Sequence, residues 1–210
     1  MMDEEHARDT GRLGLTIGAV AAGSAVCLAT YFIVRGPFGT INDIGNAATG
    51  VMSGWLAWRM RRRADSPAAD AAVGAALVGA AITVVGSALV VSRTTGFLFA
   101  GLVSSLGFAG IGAWLVVVNR SQREMRAWPR ALRRLGVVAG ALMVVGIVLV
   151  PGILLGLDDP ATAPAWVWIG FLGWLGIYVA YPVWAISMGV VETRLAAQAG
   201  PVAAMSTVTE

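Results

Sequence analysis

Apolar residues along the chain gather into long runs that short polar segments separate. The runs cover residues 13–34, 41–60, 71–92, 97–118, 135–157 and 165–191. Each run is long enough, as a helix, to cross about 30 Å of hydrocarbon. The pattern therefore predicts an all-α polytopic integral membrane protein, folded as a bundle of six transmembrane helices. Residues 1–12 and 192–210 are more polar, and we expect a polar N-terminal tail and a disordered C-terminal tail.

Basic residues are distributed unevenly among the connecting segments. All of them are arginines, and all except Arg35 and Arg93 fall in the two tails or around the connections after the second and fourth runs. Positive charge accumulates on the cytoplasmic side of membrane proteins. The distribution predicts that both termini are cytoplasmic. Arginine without lysine, together with abundant Ala, Gly and Val, is typical of a GC-rich bacterial genome, so we expect the plasma (inner) membrane of a bacterium.

The second run differs from the others because it carries amides and a carboxylate. On a helix with 100° per residue, four polar side chains fall on one narrow face, and a carboxylate lies beside the first of them. We call this set the polar stripe; it consists of Asn42, Asp43, Asn46, Thr49 and Ser53.

Two interpretations of the polar stripe are open. Its members can form structural hydrogen bonds, which contribute about 0.6 kcal/mol each between membrane helices, and Asn42 and Asp43 can cap the helix start. Alternatively, the stripe lines a polar cavity in which Asp43 is the ionisable group, since a charge within a membrane span is a candidate functional site.

Several kinds of chemistry lack the residues they require. The chain has one cysteine, Cys27, and one histidine, His6, which excludes an intrachain disulfide, a cysteine metal cluster and an HExxH zinc site. No lysine is present for a Schiff base, and no GxxxxGK phosphate loop occurs. The sequence thus predicts no enzyme activity, no cofactor, no metal and no catalytic residue.

The connection at residues 119–134 is the most basic part of the chain. Its arginines are candidates for contacts with anionic lipid head groups, each contributing about 1 kcal/mol near the surface. They are Arg123, Arg126, Arg130, Arg133 and Arg134. The alternative is that they only set the topology. Nucleic acid is not an expected partner, because no nucleic-acid module surrounds this segment.

Glycines at four-residue spacing occur in the first and fifth runs, as Gly14 with Gly18 and Gly136 with Gly140. Such faces let membrane helices approach closely, either within the bundle or in a homo- or hetero-oligomer. The functional hypothesis from sequence is a non-catalytic membrane protein, a scaffold or an accessory subunit. The alternative is a small-solute transporter or channel whose polar cavity is lined by the second span.

Overall fold

A computed structural model describes the backbone of residues 4–61, 66–121 and 128–206, and side chains within 5–61, 66–121 and 128–198. These parts are all-helical, with 86% helix and no strand, which confirms the all-α part of the predicted fold class. Six long helices follow one another: α1 Glu4–Val34, α2 Phe38–Met60, α3 Pro67–Val91, α4 Phe97–Arg120, α5 Arg130–Leu154, and α6 from Val167 to Ser206.

Five of these helices, all except α2, are long and apolar enough to cross a membrane. The chain is therefore a multi-pass membrane-embedded protein. At 23 residues α2 is also long enough, but its polar stripe lowers its hydropathy below that of the others. Residues 41–60 were predicted to be a membrane span. They have the length of a span but not the apolar composition of the other five helices.

The first and last helices extend past the predicted spans. α1 begins at Glu4 rather than at residue 13, and α6 continues beyond residue 191. The added turns pack on each other: Ala7 and Ala196 are buried, and Gly11 faces Thr193 so closely that a Cβ on Gly11 would lie 2.6 Å from its hydroxyl oxygen. Close contact between small residues thus orders segments whose polarity predicted tails.

The six helices form a closed ring in which each packs against the next and α6 returns to α1. Neighbours are antiparallel; along the closing pair, Gly11 meets Thr193 and Gly18 meets Ile186. Glycines permit the close approach, since a Cβ on Gly140 would lie 2.6 Å from the Gly112 carbonyl oxygen. The glycine faces predicted from the sequence are used here between helices of one chain.

The antiparallel order gives the ring two ends with different charge. At the basic end α1, α3 and α5 begin and α2, α4 and α6 end, which brings Arg12, Arg59, Arg120 and Arg134 together. At the opposite end lie the connections after α1, α3 and α5. The arginine asymmetry seen in the sequence is therefore an asymmetry between the two ends of the folded ring.

Two of the connections at the opposite end turn through a left-handed residue that is not glycine. Arg35 has φ 64° and Arg93 has φ 59°, each directly after or close to a helix end. In the third connection, the Asp158 carboxylate accepts hydrogen bonds from the Gly96 and Phe99 amides at 2.6 and 3.1 Å. It thereby satisfies backbone donors at the start of α4, which otherwise lack partners.

The ring interior changes character along its length. In the half nearer the basic end it is filled by apolar and aromatic side chains. Trp184 stacks on Tyr181 with ring centroids 5.8 Å apart and meets Trp114 edge-on at 6.2 Å. We call this group the aromatic plug; it comprises Phe108, Trp114, Trp128, Tyr181 and Trp184, all buried. The other half holds the buried polar side chains of α2 together with a smaller apolar cluster, Leu98, Leu102, Leu149 and Val167; we call it the polar half.

Candidate functional site: a buried polar stripe facing two tyrosines

The polar stripe of α2 faces the ring interior. Its members are all buried, from Ser53 at 0% exposure and Asn42 and Thr49 at 1% to Asp43 at 9%. The apolar face of α2 is turned outward, with Ile44, Val51, Trp55 and Trp58 exposed. From Asn42 to Ser53 the stripe extends along about 16 Å of helix. The polar face of α2 is therefore hidden from the surroundings of the ring.

The stripe forms hydrogen bonds across the interior to α6. The Asn46 side-chain amide donates to the Tyr178 hydroxyl at 2.9 Å. Deeper in the ring, the hydroxyls of Ser53 and Tyr181 are 2.6 Å apart. Ser53 gives its single proton to the Thr49 carbonyl oxygen at 2.6 Å, so Tyr181 must be the donor in the bond between the two hydroxyls.

Both helices opposite the stripe are irregular at this level. In α6 a π-helical stretch, Gly176–Ala180, carries Tyr178. In α5 a 3₁₀ stretch, Val145–Leu149, precedes Pro151. Each irregular stretch begins beside the neighbouring helix: a Cβ on Gly176 would lie 2.8 Å from the Met143 nitrogen, just before the 3₁₀ stretch, and a Cβ on Gly173, just before the π stretch, would lie 3.5 Å from the Gly146 nitrogen. Such departures from α-helical geometry are frequent at functional sites and hinges.

Asp43 lies at the N-terminal end of the stripe, toward the end of the ring that is opposite the basic end. It accepts a hydrogen bond from the Asn42 amide at 3.3 Å, and the Ser24 hydroxyl donates to the Asn42 backbone carbonyl at 3.3 Å. Among the described residues no basic side chain forms an ion pair with Asp43. α2 begins at Phe38 and has no side-chain cap, so the interpretation of Asn42 and Asp43 as helix caps is wrong.

Three buried polar atoms on the helices in this half of the ring have no protein partner. They are Asn42 Oδ1, Thr49 Oγ1 and Ser87 Oγ, on residues that are at most 4% exposed. A buried polar atom without a hydrogen bond costs about 1–3 kcal/mol. The site therefore has hydrogen-bonding capacity that the described protein atoms do not use, and a polar molecule in contact with these atoms would recover that free energy.

The structure adds polar residues that the sequence analysis did not single out. On α3, Thr83 donates to the Gly79 carbonyl at 2.9 Å, and Ser87 lies one turn further on. On α4, Ser105 accepts a hydrogen bond from the Trp174 indole at 3.3 Å. The four-residue spacing of Thr83 and Ser87 could have indicated that they share one helix face. Two hydroxyl side chains on an apolar helix also occur at ordinary packing positions, however, so the spacing does not identify a site.

Half-buried aromatic rings border the stripe toward the opposite end. Tyr31 of α1 lies 6.1 Å from Phe97 of α4, Phe97 lies 6.3 Å from Trp174 of α6, and Trp174 lies 6.1 Å from Tyr178. We call these four residues the aromatic rim. Tyr178 belongs to both the rim and the hydrogen-bonded interior, so the rim is connected directly to the polar stripe.

The basic end carries a second set of polar contacts. The Trp128 indole donates to the buried Glu192 carboxylate at 2.7 Å, and the Trp184 indole donates to Asn119 at 3.3 Å. Arg59 pairs with Asp9 at 3.5 Å. These bonds join four helices around the aromatic plug and close this end of the ring.

The arginines predicted to contact lipid head groups are only partly described. Arg123 and Arg126 lie outside the described residues. Arg130 and Arg134 are exposed in the first turns of α5, and Arg133 is half-buried there. Positive charge at a helix N-terminus opposes the helix dipole, so local helix stability does not account for these residues.

No group of three or more His, Cys, Asp or Glu residues within the described parts is arranged to hold a metal ion. In comparisons with protein-family models, curated proteins and solved structures, nothing matched the chain. The function is therefore argued from the geometry of the ring interior.

Proposed function

We propose that the protein binds a small polar solute in the polar half of the ring and carries it across the membrane. The observation that supports this most directly is the set of unpartnered atoms, Asn42 Oδ1, Thr49 Oγ1 and Ser87 Oγ. A bundle held together only by packing would have used these atoms in helix-to-helix hydrogen bonds, because leaving them unpaired opposes folding. In a solute-binding interior, these atoms would form hydrogen bonds with the bound solute.

The two halves of the ring suggest how access is controlled. The aromatic plug closes the basic half, and Tyr181, which is fully buried, marks the boundary between plug and polar stripe. A solute would enter from the opposite end, past the aromatic rim. This arrangement favours a carrier with one closed side over a continuous pore.

Movement between two states is assigned to α5 and α6. Transporters commonly place the solute site where helices are interrupted near the middle of the membrane. Here the interruptions are the 3₁₀ stretch Val145–Leu149 and the π stretch Gly176–Ala180, beside the two tyrosines that bond to the stripe. Bending at these stretches would separate Tyr181 from Ser53 and open the plug.

We also infer how the ring is oriented in the membrane. α2 is taken as the sixth membrane crossing, with its polar face shielded by the ring. The basic end is then cytoplasmic by the positive-inside rule, both termini are cytoplasmic, and the membrane is the inner membrane of a bacterium. Solute enters from the non-cytoplasmic side. The exposed arginines of α5 would face anionic lipid at the cytoplasmic surface.

The test is the accessibility of single cysteines along α2. Cys27 is replaced by alanine, and Asn42→Cys, Asn46→Cys and Thr49→Cys are compared with Val51→Cys in whole cells. A membrane-impermeant thiosulfonate reagent is added from outside. We expect reaction at the three stripe positions and protection at Val51→Cys, which faces outward into lipid.

Correct assembly of each variant is checked by gel filtration and by its unfolding temperature. If the three stripe cysteines are unreactive in folded protein while an added cysteine at the exposed Gly156 reacts, the interior is dry and the proposal fails. Reaction of the stripe cysteines only in inverted vesicles would reverse the proposed orientation.

A second candidate function is supported by the outward surface. Between α2 and α3 lies an apolar groove of about 450 Å³. Its walls include two exposed tryptophans, and its floor consists of small residues; the lining is Val51, Gly54, Trp55, Trp58, Leu77, Ala80, Ala81 and Val84. Such a groove fits a non-catalytic scaffold or accessory subunit that receives a partner helix. Crosslinking from Trp55→Cys tests this alternative.

A further inference from the structure

We propose that the solute is an organic ammonium cation, held by Asp43 and the aromatic rim. This inference rests on the proposed function and specifies the substrate class of the same site. It is carried by a juxtaposition. Asp43, a buried carboxylate without a basic partner among the described residues, lies one turn after Gly39, which packs on the Tyr31 ring, and one turn before Asn46, which bonds to Tyr178.

The sign of the charge follows from the residues around Asp43. Its described polar neighbours are neutral: Asn42 donates to it at 3.3 Å, and Asn46, on the next turn, donates to the Tyr178 hydroxyl at 2.9 Å. A buried carboxylate without a counter-charge is unfavourable. A cationic solute would supply the missing charge, whereas an anionic solute would be repelled.

The aromatic rim indicates the kind of cation. The faces of tryptophan and tyrosine attract cations, most strongly alkylated ammonium groups that carry little water. The rim already holds a cation at its edge, where the Arg35 guanidinium lies 5.5 Å from the centre of the Tyr31 ring. Tyr31, Phe97, Trp174 and Tyr178 are all half-buried, so parts of the rings remain open to a ligand.

A hard metal ion fits this set less well. Ca²⁺ requires six to eight oxygen ligands, and Mg²⁺ requires near-octahedral oxygen coordination. Asp43 is a single carboxylate, and aromatic rings do not replace oxygen ligands for such ions. The unpartnered atoms Asn42 Oδ1 and Thr49 Oγ1 suit instead a solute that carries hydroxyl or N–H donors beside its ammonium group.

The experiment compares choline with 3,3-dimethylbutan-1-ol, which has the same shape without the charge. Equilibrium dialysis of the purified full-length protein in detergent measures binding of each compound. We expect choline to bind at least about tenfold more tightly, which corresponds to one carboxylate contact plus ring contacts. We expect Asp43→Asn to lower choline affinity by about tenfold or more and Phe97→Leu to lower it by about threefold.

The matched control is Asp159→Asn, which removes one negative charge at the same end of the ring, from an exposed loop. It should leave choline binding unchanged. A rise in unfolding temperature on adding choline, lost in Asp43→Asn but kept in Asp159→Asn, shows the effect without depending on activity.

The outcomes separate this inference from the proposed function. Equal binding of choline and its neutral analogue, or unchanged choline binding in folded Asp43→Asn, would overturn the cation assignment. If choline fails to bind while the stripe cysteines react with the aqueous reagent, the cation assignment is also overturned and solute binding stands. If choline fails to bind and the stripe cysteines are unreactive, both proposals are overturned.

Discussion

The side-chain amide of Asn46 donates to the hydroxyl of Tyr178 across the ring at 2.9 Å. Their helices, α2 and α6, are not neighbours in the ring, which closes from α6 to α1 and continues from α1 to α2. The bond therefore crosses the interior. It joins the aromatic rim, at Tyr178, to the polar stripe, one turn of α6 away from the Ser53–Tyr181 contact. It also holds the Tyr178 side chain, which belongs to the π stretch of α6, against α2.

Breaking this bond should destabilise the protein modestly. Tyr178→Phe leaves the Asn46 amide with one partner fewer, and we expect a loss of about 1 kcal/mol in the free energy of unfolding. A double-mutant cycle of Tyr178→Phe with Asn46→Ala should give a coupling of about 0.6 kcal/mol, the average for such bonds in a membrane protein. Reversible unfolding in mixed micelles measures both values. A coupling near zero would mean that the two groups do not interact.

Glycine packing between α4 and α5 should be far less tolerant than glycine elsewhere. A Cβ on Gly140 would lie 2.6 Å from the Gly112 carbonyl oxygen, whereas one on Gly74 would meet nothing within 4 Å. We expect Gly140→Ala to destabilise the protein by about 1–3 kcal/mol through overpacking. Gly74→Ala, the control, should leave stability unchanged or raise it by up to about 1 kcal/mol. Equal effects of the two would argue against the close α4–α5 contact.

The cap on α4 can be tested by a pair of adjacent aspartates. The Asp158 carboxylate accepts from the Gly96 and Phe99 amides, while the Asp159 carboxylate accepts from the amide of nearby Ala161 in its own loop. Asp158→Ala should cost about 0.5–2 kcal/mol and accelerate hydrogen exchange at residues 96–99. Asp159→Ala should leave that exchange unaltered. Unchanged exchange in both variants would show that the long-range cap is not formed.

The left-handed residues after α1 and α3 give a second matched pair. A non-glycine residue in this conformation costs about 1 kcal/mol, so Arg93→Gly should raise the unfolding temperature. Arg35→Gly should gain less, because Arg35 also contacts the Tyr31 ring. Thermal unfolding of both variants in the same detergent measures the difference. A loss of stability in Arg93→Gly would contradict the assigned φ.

The length of the apolar runs was enough to predict the six helices, because a run of about 20 apolar residues has few other structures available to it. The bounds were less predictable. Glu4 to Gly11 are polar enough to resemble a tail, and only their contact with the end of α6, as at Thr193, orders them. That contact joins residues far apart in the sequence, so no local pattern of polar and apolar residues could predict it.

The stripe itself was visible from spacing alone, but its partners were not. Helical periodicity places Asn42, Asn46 and Ser53 on one face, and says nothing about which helix lies opposite. Tyr178 and Tyr181 resembled ordinary aromatic packing in the sequence. Their role depends on the ring closing from α6 to α1 and on the π stretch, whose extra residue has no known sequence signal.

Access of water and small solutes to the polar half of the ring interior can be measured directly at Tyr178 and Tyr181. The two tyrosines are three residues apart, one at the aromatic rim and the other in the plug with 0% exposure. Hydroxyl-radical footprinting of the protein in lipid nanodiscs measures the oxidation rate of each ring. We predict that Tyr178 is oxidised several times faster than Tyr181. Equal protection of both tyrosines, in protein whose loop residues are oxidised normally, would show that water does not reach the polar half.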